Sequence, residues 1–369
     1  MTEKMTEKPN ILIIGGGIAG LWTAHRLQKA GRRVLLVDAQ TKPKQSLYSQ
    51  GMIHGGQKFI LSGEVSAFAT ALASLPARWD AALQGRGEID LSAVKVTSHL
   101  QYFVARGMAE GLAAFAAAKV VNAQTSKTAP ADYPGILKAD QSFKGMVYTL
   151  HEKVLDPKSL INALKQQLGD ACLEGDVTRL EANGTAHLAD GRIISADTTI
   201  ALAGEGNAGF IDALNLPIAT RLRPLRQVYV ADVDDPFYGH IIGLQSKPRF
   251  TVTSLQQENG RHEWYLGGLL AEKTQGWSER EIIAFAQKEL QEIFPHIAWS
   301  QKTYRVFDIN RAEYGAPGQD VQAGPVLKKL GSLLFGWPAK LTSAPLLADM
   351  VMAEIEKAQD DNQAQRSIA

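Results

Sequence analysis

The sequence predicts an α/β protein: a Rossmann-like dinucleotide-binding domain, discontinuous along the chain, with an inserted α+β domain built on an antiparallel sheet. Three observations predict it. Residues 10–38 read, in order, as strand, glycine-rich turn, helix, strand and acid. Strand and helix patterns of the same kind recur in the middle and at the end of the chain. Between those two, residues 220–310 change to short strands with tight turns.

Each part of the first unit has a physical task. The apolar run 10–14 is a strand, and Gly15-Gly16-Gly17-Ile18-Ala19-Gly20 fits G-x-G-x-x-G. Gly15 permits the tight turn out of the strand. Gly17 lets the backbone approach a pyrophosphate, and Gly20 lets the helix pack close to the sheet. The helix N-terminus offers N–H groups and a positive dipole end to phosphates. A second apolar run, 34–37, ends at Asp38, which can accept hydrogen bonds from ribose hydroxyls and would repel a 2′-phosphate.

The rest follows in order. Residues 64–121 read mostly as helix, with Val65, Phe68, Leu72 and Leu75 at helical spacing and a short strand at 101–104. Residues 125–134 form a loop. Asp156 caps a helix that Pro157 opens, with Leu160, Ile161, Leu164 and Leu168 as its buried stripe. Strands follow at 172–173, 177–180, 186–188 and 192–194, the last after a turn at Asp190-Gly191. The apolar run 198–203 suits a strand buried on both faces. In the insert, strands fall at 228–231, 239–243, 249–253 and 263–267, with Asn259-Gly260 as a hairpin turn. Ser278 and Glu281 form a capping box for the helix 278–293. A strand at 332–335, a turn at 336–342 and a helix at 344–355 finish the pattern, and the polar tail 356–369 is expected to fray.

Composition sets limits. The chain has 369 residues, enough for two domains, with 45% hydrophobic and 21% charged residues. A net charge of +1 leaves no nucleic-acid footprint. Cys172 is the single cysteine, so internal disulfides and C-x-x-C chemistry are excluded, and it reads as a small core residue. The polar start MTEKMTEKPN is no ordinary secretory signal, and no apolar run is long enough to span a membrane. The expected location is cytoplasmic, with peripheral membrane contact left open. His-x-x-x-His and cysteine clusters are missing, so no metal is expected; G-x-S-x-G and P-loop motifs are missing too.

The expected division gives 1–80, 145–215 and 325–369 to the dinucleotide domain, and 81–144 and 216–324 to the substrate domain. A plain NAD dehydrogenase would usually complete its Rossmann half in one block. The interleaving points instead to a flavoprotein.

At this point the chain resembles the D-amino-acid oxidase superfamily of FAD-dependent oxidoreductases, over nearly its whole length. Beyond the fingerprint, Ser46-Leu47-Tyr48-Ser49-Gln50-Gly51-Met52-Ile53-His54-Gly55-Gly56 is similar to the superfamily segment that passes the flavin ring. Its Ile-His-Gly-Gly core is especially like glycerol-3-phosphate dehydrogenases, with a cousin in 2-hydroxyglutarate enzymes. Residues 154–164, Val177, 190–193, Ala203 and Gly204 resemble the block that receives the adenine side of FAD. Gly336 to Thr342 takes the place of the last FAD motif, although Trp337, Pro338 and Lys340 depart from its glycine-rich form.

The resemblance implies FAD as cofactor and hydride transfer to flavin N5 from a C–H bearing a hydroxyl or an amine. The expected FAD contacts are Gly15, Gly17, Ile18, Ala19, Gly20, Asp38 and Ala39 from the first unit. Ser49, Gln50, Gly51 and Ile53 come from the second motif, Val177, Ala203 and Gly204 from the middle, and Gly336, Leu341 and Thr342 from the end. Lys340, with the N-terminus of the last helix, can stabilise negative charge near flavin N1 and O2, or be a solvated lysine. His54 can be the proton acceptor, line the flavin face, or carry FAD covalently. Lys58 can bind an anion or be a surface charge.

An anionic substrate needs a cationic clamp. Arg311 resembles the arginine near the end of the family's substrate domain. Arg226 and Arg249 lie on expected strands of the insert, and Tyr229, Tyr238, His240 and Tyr265 can contribute polar tips; each of these can instead be a sheet-surface residue or a core polar group. Trp22, Trp264 and Trp299 read as core residues. The implied partners are a small-molecule substrate and an electron acceptor (oxygen, a quinone or another protein), with a homo-oligomer open. Ile-His-Gly-Gly leans the substrate toward a hydroxyl compound. A glycine-oxidase-type amine oxidase is the alternative, and a flavin-holding subunit without turnover is the alternative of another class.

Overall fold

The computed structural model describes residues 9–40, 45–53, 67–107, 125–245, 247–316, 318 and 324–368. The strand Ile11–Ile14 (β1) lies at the centre of a six-stranded sheet and is buried throughout. It runs parallel to Val34–Asp38 (β2) on one side and to Thr198–Ala201 on the other. Cys172–Glu174 extends the sheet beyond β2, and Leu333–Trp337 extends it beyond Thr198–Ala201, both in parallel. Val326–Leu330 closes that edge as an antiparallel hairpin arm. Distant chain segments therefore build one sheet, and their near-continuous apolar runs match strands covered on both faces.

The helix Ile18–Lys29 (α1) packs on that sheet between Pro157–Leu168 and the C-terminal helix Ala344–Ile368. Asp156 caps Pro157–Leu168 by accepting from the Lys158 and Ser159 N–H groups. Trp22 is fully buried against Trp79, with ring centroids 4.6 Å apart. Cys172 is half-buried at the rim of this core. The C-terminal helix continues to Ile368, thirteen residues past the expected end at Ile355. The tail holds Glu, Lys, Ala, Gln and Arg but neither Gly nor Pro, so nothing in it stops a helix already nucleated by packing.

The second sheet has eight strands, in the order Tyr304–Tyr314, Thr220–Val233, His262–Gly267, Phe250–Gln256, Gly239–Ile241, Gln101–Ala105, Met146–Leu150 and Thr125–Lys127. All neighbours are antiparallel except Gly239–Ile241 with Gln101–Ala105. The strand Thr220–Val233 is much longer than the expected 228–231 and tolerates Pro224, because His262–Gly267 pairs only with its later half. The turn at Asn259-Gly260 forms, with Gly260 at φ 80°. Helix Glu279–Ile293 begins in the expected capping box of Ser278 and Glu281. Trp264 and Trp299 are fully buried in the core beneath it, with Phe237 and Phe294. Helix appears at Ala67–Leu83, while Val96–Ser98 and Gln101–Ala105 are strands; the Ala-rich stretch 108–118 lies outside the described residues.

A charged network ties three helical segments together behind the first sheet. Arg78 donates to both Glu88 oxygens at 2.7 Å and to Asp349 at 2.5 Å, and Arg26 also pairs with Asp349. Burial works to raise the Asp349 pKa, but hydrogen bonds from Arg78 and Arg26 outweigh it and hold the carboxyl below its ordinary value of 3.8. A folded pKa below the unfolded one stabilises at higher pH, and that stability disappears as pH falls through the folded value. Asp349→Asn should therefore melt below wild type at neutral pH. The two melting curves should converge below about pH 4, where the unfolded carboxyl protonates. Thermal melts from neutral to acid pH check this, and a gap that stays constant would show that Asp349 is not a linked group.

Candidate active site

The glycine turn after β1 is set by contacts that exclude a side chain. Gly15 has φ 115°, and a Cβ there would stand 2.5 Å from the Leu202 carbonyl oxygen. A Cβ on Gly20 would stand 1.9 Å from the Gly15 oxygen, so α1 can lie against the turn only without one. Gly17 is looser, as its Cβ would meet the Ser46 hydroxyl at 3.2 Å. That hydroxyl accepts the Ile18 N–H at 3.0 Å and so sits on the first turn of α1.

Asp38 closes β2 and is nearly buried. One carboxylate oxygen accepts the Gly16 N–H at 3.0 Å, and the other pairs with Lys165 from helix Pro157–Leu168. Across the turn, Asn207 is fully buried. Its carbonyl accepts from the Ala203 N–H at 3.0 Å, and its amide donates to the Gly336 carbonyl at 3.1 Å. It thereby fixes the middle segment to the last one.

These segments enclose a cavity of about 550 Å³, a usual size for a cofactor site. Of the expected contacts, Gly15, Gly17, Ile18, Ala19, Asp38, Ala39, Ser49, Val177, Ala203, Gly204, Gly336 and Leu341 line it, and so does Lys340. Gly20 lies beneath the turn instead. Thr342 is buried, and its carbonyl accepts from the Trp79 indole at 3.0 Å. Gln50 faces the second sheet, donating to the Tyr265 carbonyl at 3.0 Å and accepting from Thr251 at 2.6 Å. Gly51 and Ile53 run beside 153–155: Leu155 N–H donates to the Gly51 carbonyl and Ile53 N–H to the Lys153 carbonyl, each at 2.9 Å. His54, Gly55, Gly56 and Lys58 lie outside the described residues.

The expected substrate residues divide. Arg311 stands on Tyr304–Tyr314 between two residues that line the cavity, Asn310 and Ala312; it does not line the cavity itself but donates to the carbonyl of Ala339, a cavity residue, at 2.7 Å. Among the described residues no carboxylate forms an ion pair with it. Desolvation, then repulsion from its cross-strand neighbour Arg223, pulls its pKa down. Tyr265 lies near it and donates to the Tyr48 carbonyl at 2.5 Å; burial raises its phenol pKa well above the usual range. Tyr229 packs between Tyr265 and Phe307, each 4.8 Å away by ring centroid, and burial pushes its pKa up to about 12.

Arg226 and Arg249 are not brought to the cavity. Arg226 pairs with Asp308 at 2.6 Å and donates to the Trp277 carbonyl. Arg249 spends both sides of its fork on Glu292 and Glu289, which raises its pKa and pins helix Glu279–Ile293 to the sheet. Tyr238 donates to the Ser254 carbonyl, and His240 bonds Gln101 at 3.0 Å. The sequence pattern gives no role to Ser46, Lys165 or Asn207. Only Ser46 carries a signal there, as the first residue of the second motif.

The residues present suit a dinucleotide. A tight glycine turn, an α-helix N-terminus and the Asp38 carboxylate all border one cavity, at the carboxyl ends of parallel strands. A second sheet adjoins its far end. Together they define the class of two-sheet dinucleotide-dependent oxidoreductases. The FAD dependent oxidoreductase family (DAO) matches residues 10–351, and the chain belongs to that family. FAD is its cofactor.

The probable FAD-dependent oxidoreductase PA4991 of Pseudomonas aeruginosa is 39% identical over 360 residues, 94% of this chain and 91% of the relative. The crystal structure of the FAD dependent oxidoreductase PA4991 matches with a TM-score of 0.82 at 34% identity, covering 97% of this chain and 93% of that one. The fold is shared with iminodiacetate oxidase from Chelativorans sp. BNC1, at TM-score 0.67 and 17% identity over 93% and 95% of the two chains. Glycine oxidase from Geobacillus kaustophilus matches at TM-score 0.67 and 13% identity over 95% of each chain. Among the described residues no helix is long and apolar enough to cross a membrane.

Proposed function

We propose that this enzyme removes a hydride from a carbon bearing an amine or a hydroxyl in a small carboxylate. The observation that carries this reading is Arg311, a part-buried guanidinium that donates to the carbonyl of the cavity residue Ala339 and, among the described residues, forms no ion pair with a carboxylate, Glu313 and Glu272 acting on it only at longer range. A planar fork in that state is suited to a carboxylate brought by a ligand. Bound FAD supplies the hydride acceptor, its N5.

The chain's own residues do the rest. The N–H groups at the start of α1 hold the pyrophosphate, Asp38 the ribose and Val177 the adenine side. Lys340 and the start of the C-terminal segment offer positive charge where electron density collects. Arg311 orients the carboxylate, while Tyr229 and Tyr265 wall the site and exclude water. His54 takes the proton from the substrate's amine or hydroxyl. In this reading the dinucleotide domain is formed by the three sequence blocks 1–80, 145–215 and 325–369, except that Met146–Leu150 pairs into the second sheet. Electrons then pass to oxygen, a quinone or another protein.

An anaerobic screen of small carboxylates, read at the flavin absorbance band, tests the proposal. Bleaching by amino or hydroxy acids is expected. A screen in which only uncharged amines or alcohols bleach the flavin would overturn it.

A further inference from the structure

The parallel strands Thr198–Ala201 and Leu333–Trp337 pair as far as Ala201 with Phe335, and there their register ends. Beyond it the first chain turns away through Gly204, at φ 57°. Ala203 and Gly336 lie just past that end, one on each chain, and both line the cavity. Ligands of such sheets sit at the carboxyl ends of the strands, so these two backbones are walls of the candidate FAD site.

Asn207 spans the opening between them. It is fully buried, in the first turn of helix Gly206–Ala213. A backbone N–H can only donate and a carbonyl only accept, so the amide has one orientation. Its Oδ1 takes the Ala203 N–H at 3.0 Å, and its Nδ2 gives to the Gly336 carbonyl at 3.1 Å. One side-chain amide thus replaces a backbone pair where the strands have stopped pairing. Asn207 does not line the cavity itself, so it acts through the two walls. Bound FAD needs those walls at one spacing. The FAD-free chain can let them part and hydrate the two groups, so loss of the bridge costs more with FAD than without.

We propose that Asn207 is a positioning residue for the cofactor: its amide sets the spacing of Ala203 and Gly336 that FAD requires. The proposal rests on the reading that FAD occupies this cavity. A carboxyl of the same shape tests the donor half of the amide. In Asn207→Asp the ionised side chain can still accept from Ala203, but it sets an oxygen against the Gly336 carbonyl. The protonated side chain donates to that carbonyl as the amide does. The helix start favours the charged form, but full burial and the facing oxygen oppose it more strongly, so the new carboxyl protonates above the ordinary carboxylate range. The protonated form is the one that holds FAD. Retention is therefore present at low pH and lost as pH rises through that value.

Release of FAD from diluted holoenzyme is followed by flavin fluorescence from about pH 5 to about pH 9, and melting temperatures are measured with and without FAD. The charged groups bordering the cavity (Asp38, Asp176, Arg179, Glu205 and Lys340) and Asp212 on the helix are common to all variants, so the wild-type profile is the reference. Asn207→Leu should release FAD about tenfold faster or more at every pH. Its melting temperature should fall further with FAD than without. Asn207→Asp should release FAD as fast as Asn207→Leu at the alkaline end and return toward wild type at the acid end. A variant that folds without flavin is titrated with FAD, and affinity is read in place of release.

Wild-type release from both variants overturns the proposal, and so does a gap for Asn207→Asp that is the same at both ends of the pH range. Equal melting losses with and without FAD, or failure of both variants to fold, mark a structural asparagine and overturn it too. Asp38→Ala separates these failures from that of the cavity reading. Faster release from Asp38→Ala beside wild-type release from the Asn207 variants overturns the Asn207 proposal alone. Wild-type release from all three means that FAD is not held in this cavity, and both readings fall.

Discussion

Arg311→Met should lower kcat/KM for the best carboxylate substrate by two to three orders of magnitude, about 3–4 kcal/mol, and leave FAD content unchanged. The size follows from losing a charge-assisted, bidentate partner in a desolvated site, where truncation costs about 2–5 kcal/mol. Arg311→Lys should recover little of it, because an ammonium keeps the charge but not the fork. Arg311→Met should not depress the melting temperature. Arg311 faces Arg223 across the strand pair, and Arg223 already has Glu313 and Glu272 as partners, so removing the unpaired charge relieves repulsion. Steady-state kinetics, flavin content and a thermal melt check the three statements together. An unchanged KM would remove Arg311 from the substrate site.

Three arginines on the antiparallel sheet look alike in the sequence, and the structure separates them by their partners. Arg226 and Arg249 are paired with carboxylates, while among the described residues Arg311 forms no such ion pair. Nothing local marks that difference, because Glu289 and Glu292 reach Arg249 only after helix Glu279–Ile293 has packed on the sheet. Local signals were legible where one short segment decides the outcome. The Gly15–Gly20 turn, the Asp156 cap, the Ser278 capping box and the Asn259-Gly260 hairpin all depend on backbone geometry within a few residues. The interleaved parallel sheet was legible too, since double-sided burial leaves apolar runs that alternation does not.

Side-chain partnerships across the chain were not legible. Lys165 on Asp38, and Asn207 between Ala203 and Gly336, join segments that meet only in the folded sheet.

Gly20→Ala should cost the protein both stability and FAD. Two effects oppose each other. Alanine is the better helix former, by about 1 kcal/mol. Against that, the new Cβ would stand 1.9 Å from the Gly15 carbonyl oxygen, a backbone atom with no rotamer to change. The helix or the turn must move. The turn is held by Leu202 on one side, and α1 is clasped between two helices with Trp22 buried against Trp79. Forcing bulk into such packing costs about 1–3 kcal/mol, and a contact this short belongs at the top of that range or above it. The clash therefore wins, and the melting temperature should fall by about 4 °C or more. Because the displaced turn carries the N–H groups proposed to hold the pyrophosphate, FAD retention through gel filtration should fall as well. Gly209→Ala is the control of opposite sign. It lies within helix Gly206–Ala213 and lines the cavity, where an added Cβ meets no protein atom within 4 Å, so helix propensity should raise the melting temperature of the apoprotein slightly, and the two substitutions are compared on that melt alone. Equal effects from the two substitutions would mean that close approach of α1 to the turn is not what Gly20 provides.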